Sequence, residues 1–129
     1  EESHCYICKR MDDTYRRMVD TFVYQVKHEP EFVDMVKASK GFCVHHFADL
    51  VEACGEGLSQ KEQEQLFPVL FDQMNRELDR MQGDIDWMIE KFDYVNKDKD
   101  WKNSKDAVQR TMQKIVGGYP ADPVFRDKK

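Results

Sequence analysis

Three features of this 129-residue chain predict an all-α fold. Apolar residues recur three and four apart over long stretches, no segment shows the strict alternation of a half-buried strand, and the breaks fall at proline, glycine and capping residues. The expected architecture is a bundle of five or six helices, with one long helix that Pro68 should kink or split and an extended C-terminal tail. A chain of this length buries roughly 65–70% of its unfolded surface in a single core, so residues 1–129 are expected to form one domain, with 119–129 as the tail.

The first helix is expected from Lys9 to about His28. Met11, Tyr15, Met18, Phe22 and Val26 form its apolar stripe, which Val19 and Val23 widen. Glu29-Pro30 breaks the pattern, because proline suits the first turn of a new helix and not the interior of an old one. A short second helix, Pro30 to Ser39, would bury Phe32, Val33 and Val36 before Gly41 stops it. The third begins at Phe42 or Cys43 and carries Cys43, His46, Phe47, Leu50, Val51 and Cys54 on one face until Gly55 and Gly57 end it.

Ser59 followed three residues later by Glu62 is a capping box and marks the start of the long helix. Its core face reads Leu66, Leu70, Met74, Leu78, Met81, Ile85, Met88 and Phe92. A polar loop spans 96–103. Asn103 or Ser104 then caps a last helix whose Val108, Met112 and Ile115 face inward until Gly117-Gly118.

With 25 acidic and 20 basic side chains, a net charge of -5 and a pI near 5.4, the chain has little with which to hold a phosphate backbone. Lys9, Arg10, Arg16 and Arg17 form a basic cluster, but Asp12, Asp13 and Asp20 interleave with it as on a solvated helix face. No apolar run approaches the roughly 20 residues that cross a bilayer, and no secretory signal pattern appears, so a cytoplasmic protein without nucleic-acid or membrane partners is expected. Beginning at Glu1, the chain is expected to be a processed product or a piece of something longer.

Cys5-Tyr6-Ile7-Cys8 and Cys43-Val44-His45-His46 are two pairs of metal-ligand type, each with its members three residues apart. That spacing on a helix or tight turn brings two side chains to one side, so each pair is a pincer. Together they offer three thiolates and one imidazole, a Cys3His set suited to a closed tetrahedral zinc site and unsuited to magnesium or calcium. Iron or an iron-sulfur cluster is the alternative occupant. Two other readings stay open: ordinary thiols near a terminus together with core residues of the third helix, or a redox dithiol at Cys5 and Cys8.

The remaining candidates are weaker. His4 could replace His46 as fourth ligand. His45 should point about 100° away from its neighbour, and Cys54 should lie about 16 Å farther along the helix than Cys43, in the core. Lys9 after Cys8 disfavours a c-type haem. Glu90, Asp93 and Asp106 are expected on a solvated face, and most of the methionines and aromatics in the core. Four good ligands leave no open position on the ion, and no hydrolase, deaminase, phosphate-binding or dinucleotide-binding motif appears, so a non-enzymatic role is favoured.

The motifs Cys5-Tyr6-Ile7-Cys8, Lys40-Gly41-Phe42-Cys43 with His46-Phe47, Lys91-Phe92-Asp93-Tyr94, Ser104-Lys105-Asp106-Ala107 and Gly117-Gly118-Tyr119-Pro120 run in an order that closely resembles a bacterial family known only as a domain of unknown function. Some members of that family carry a loose label as ABC transporter substrate-binding proteins, which nothing in these residues supports. The resemblance implies metal ligation by Cys5, Cys8, Cys43 and His46. It also implies that the chain corresponds to the C-terminal half of a longer protein with an earlier copy of both cysteine motifs. Two functions follow as expectations. One is a metal-stabilised helical interaction module that binds another protein or its own N-terminal half; the other is a redox or metal sensor.

Overall fold

The structure is a computed structural model that describes residues 5–118. Among the described residues it contains five α-helices, one single-turn 3-10 helix and no strand, as expected of an all-α chain. The helices are α1 (Tyr6–His28), α2 (Pro30–Ala38), α3 (Val44–Gly57), α4 (Gln60–Glu90) and α5 (Ala107–Val116), with the 3-10 turn at Tyr94–Asn96. The chain divides into two compact units. Among the described residues the first runs to Gly41 and resumes over Phe47–Gln73, and the second takes Phe42–His46 and continues from Met74.

In the first unit, α1 starts three residues earlier than the stripe suggested and buries Phe22, which meets Phe32 of α2 edge to face at 5.2 Å. Tyr15 turns inward too, and its hydroxyl donates to Asp49 at 2.7 Å. Only part of the expected stripe is covered. Met11 and Met18 stay 65% and 66% exposed, because they lie on the edge of the stripe away from the packed face. Pro30 opens α2 as its first residue after an extended Glu29.

α3 runs through Gly55 and ends at Gly57, its last residue. Gly57 also serves packing: a Cβ there would lie 2.9 Å from Cγ1 of Val23, so α1 and α3 reach this separation only over a bare backbone. The carbonyls of Gly55 and Leu58 at the end of α3 accept from Nε2 of Gln63 at 3.0 and 2.8 Å. Buried Gln73 does the same for α2, donating to the carbonyls of Val36 and Ser39 and to the hydroxyl of Ser39.

The capping box forms as its residues predict. The Ser59 amide and hydroxyl donate to Oε2 of Glu62 at 2.8 and 2.9 Å, and the Glu62 amide donates back to Oγ of Ser59 at 3.4 Å. These donors hold the Glu62 carboxyl below its ordinary range. A lowered folded-state pKa stabilises the protein above the ordinary carboxylate range, and the contribution is lost as pH falls through the folded value. Urea midpoints of the wild type should therefore fall on acidification more steeply than those of Glu62→Gln. Parallel curves would show that the box adds nothing.

α4 passes through Pro68 unbroken. Leu66 and Leu70 are buried in the first unit, and Met74 and Met81 in the second. Leu78 and Phe92, both assigned to the core face by periodicity, are exposed.

In the second unit, α4 gives way to a loop built around Lys91, whose buried ammonium donates to the carbonyls of Asn96 and Lys97 at 2.8 Å each and also to that of Lys99. The ring of Trp101 lies 5.2 Å from the same nitrogen. Asp93 caps the 3-10 turn by accepting from the Val95 amide at 3.1 Å. Neither Asn103 nor Ser104 caps α5. Ser104 is buried and turns its hydroxyl to the Trp101 carbonyl at 2.6 Å, and the helix starts three residues later.

The inward face of α5 also differs from expectation. Val108 and Ile115 are 42% and 54% exposed, whereas Ala107 and Lys114 are buried. Met112 of the expected face is half-buried, and α5 also carries an ion pair to α4. Arg110 bonds Asp84 of α4 at 3.0 Å and Asp106 at 2.9 Å, and donates to the Asn103 carbonyl.

Candidate metal centre

Cys5 and Cys8 lie in the first unit, and Cys43 and His46 in the second. The two pincers share one construction. Cys5 is the N-cap residue of α1 and Cys8 its third helical residue; Cys43 immediately precedes α3 and His46 is that helix's third residue. Cap and third position are the two places whose side chains meet in a capping box, which is why a three-residue spacing makes a pincer at a helix start.

The first turn of a helix leaves its amide N–H groups without partners, and both pincers set sulfur beside such amides, although Cys5 makes no side-chain cap hydrogen bond. The Cys5 thiol is held below its ordinary range, chiefly by the Cys8 amide, then by the Ile7 amide and the Cys8 side chain. At the other pincer the His46 amide donates to Sγ of Cys43 at 3.5 Å. Cys5, Cys8 and His46 are exposed and Cys43 is half-buried. Among the described residues, no group of three or more His, Cys, Asp or Glu side chains is gathered to hold a metal ion.

Cys43 has two neighbours in its own unit that periodicity did not flag. Gly117 ends α5 at φ +79°, and a Cβ built on it would lie 3.6 Å from Sγ of Cys43. Lys114 is buried, which lowers its pKa, while the charges of Glu77 and Cys43 raise it. A basic residue on the buried side of an amphipathic helix is the signal that could have found Lys114.

The other candidates fall where their chemistry suggests. Cys54 is fully buried and its thiol is pushed up to about 11, so it stays protonated at neutral pH. Cys54→Ser should leave metal content unchanged while costing about 1–3 kcal/mol from the polar hydroxyl placed in the core, as elemental analysis and urea melts would read. Metal loss in this variant would contradict the ligand assignment. His45 is exposed, as is His28, which stacks on Tyr24 at 4.1 Å. Glu90, Asp93 and Asp106 are exposed, with Asp93 and Asp106 occupied by the cap and the arginine pair. His4 and the tail 119–129 lie outside the described residues.

Searches of curated proteins and of solved structures returned no match to this chain. A family model does match it, over residues 1–122, which takes in both pincers and all five helices. The chain therefore belongs to DUF6062, a family of unknown function.

Proposed function

We propose that this chain is a metal-stabilised helical interaction module in which Cys5, Cys8, Cys43 and His46 together hold one zinc ion. The common construction of the two pincers carries the reading. Each presents a sulfur at a helix cap and a second soft or borderline donor three residues on, open to solvent, whereas the remaining cysteine is sealed in the core. Three thiolates and an imidazole suit a closed tetrahedral zinc site. Bound there, zinc would act as a cross-link whose binding energy adds to folding energy, and would not activate water.

The interaction role is supported by apolar side chains left in solvent on several helices, including Ile7, Met11 and Met18 beside the first pincer. The partner is another protein or the N-terminal half that the family resemblance implies. No helix among the described residues is long and apolar enough to cross a membrane. We assign the module to the cytoplasm, where thiols stay reduced and available for metal.

Elemental analysis and a visible spectrum of anaerobically purified protein test the reading. Colourless protein with one zinc per chain is expected. Brown protein containing iron and sulfide would replace the module with the redox sensor, and protein with neither metal would overturn the metal centre altogether.

A further inference from the structure

Two exposed helix faces, one in each unit, carry complementary patterns. On α1, Ile7, Met11 and Met18 form an apolar stripe along a shallow groove of about 540 Å³, and Met18 carries it on into a second groove. Arg10 and Arg17 run along the solvent edge of this stripe seven residues apart, a spacing of about 10.5 Å on a helix. On α4, within the second unit, Leu78 and Ile89 form an exposed apolar stripe, edged by Asp79 and Asp86, also seven apart and exposed.

The handedness of the two patterns also matches. At 100° per residue, viewed from the N-terminus, the basic row lies roughly 90° anticlockwise of the α1 stripe and the acidic row roughly 90° clockwise of the α4 stripe. When two helices pack in parallel, the anticlockwise edge of one meets the clockwise edge of the other. Arginine would then face aspartate on the solvent side while the apolar stripes meet.

We propose that the chain binds a second copy of itself, the α1 stripe of one copy seating in parallel on the α4 stripe of the other, with Arg10 and Arg17 opposite Asp79 and Asp86. The contact is heterologous, since the two surfaces differ, so each copy offers one surface of each kind. The inference deepens the interaction-module reading and rests on it, but the faces it uses contain no metal donor.

The test is a charge swap read by sedimentation. Wild-type chain should associate as its concentration rises. Arg10→Glu/Arg17→Glu and, separately, Asp79→Lys/Asp86→Lys should each weaken self-association by about tenfold or more, because like charges then face each other. Mixing the two variants should restore association between unlike copies. Circular dichroism of each variant alone checks that the helices are intact.

Wild-type chain that stays monomeric throughout its soluble range overturns the proposal, whatever else then covers the α1 stripe. So does a mixture that associates no better than either variant alone. Zinc content measured on the same samples judges the module reading separately: zinc-loaded monomer would remove the second copy and leave the metal centre standing.

Discussion

Cys5→Ser and Cys43→Ser are each expected to release the metal and to lower the melting temperature by about 10 °C, a loss on the scale of removing roughly 3 kcal/mol from a domain of this size. Serine makes this a sharp test. Both cysteines occupy helix-cap positions, the sulfur of Cys43 accepting from the His46 amide, and serine is among the best residues for such a position. If sulfur only caps the helix, either substitution should be neutral or stabilising. If it also ligates zinc, the better cap cannot compensate, because a hydroxyl is a poor zinc donor beside thiolates. Calorimetry of the two variants with and without added zinc separates the cases. A melting temperature at or above wild type, insensitive to zinc, would leave two capping thiols and no metal centre.

Lys91→Met is expected to cost about 3 kcal/mol and to loosen the loop from residue 92 to 106. Methionine nearly matches the length and apolar volume of the lysine stem, so packing changes little. The ammonium is what holds the loop: it accounts for the carbonyls of Asn96, Lys97 and Lys99 and sits against the ring of Trp101. Hydrogen bonds from a charged group are worth about 1.5–3 kcal/mol each, and water recovers part of the loss once the loop opens. The same loop delivers Ser104 and Asp106 to the start of α5, so increased amide exchange should spread to the first turn of that helix. Unchanged exchange over 92–106 would show that the loop is held by something other than Lys91.

The helix order was legible because its signals are local. Pro30 fixes its own backbone angle, and Ser59 with Glu62 satisfies donors one turn away, so neither depends on distant packing. Gly57 ends α3 as expected, but its second role, close approach to α1, depends on the position of Val23, which no local signal reports.

Which apolar residues reach the core was harder to read. A 3.6-residue stripe marks a face broadly, while the part of it that is covered depends on the neighbouring helix. Met11, Met18, Leu78 and Phe92 fell on the uncovered part. On α5 Val108 and Ile115 stay exposed while Met112 is half-buried, and no periodicity reports the pairing of Arg110 with Asp84 of α4. At the candidate centre the residue pairs were legible and their setting was not. The three-residue spacing pointed to pincers, but the placement of both at helix caps required the true helix starts, Tyr6 and Val44, to be known.

X-ray absorption at the zinc edge of the purified protein would ask most directly whether one ion draws on both pincers. The expected first shell is three sulfurs at about 2.3 Å and one imidazole nitrogen at about 2.0–2.1 Å. A shell of oxygen and nitrogen alone, or one in which Cys43→Ser leaves the number of sulfurs unchanged, would contradict it.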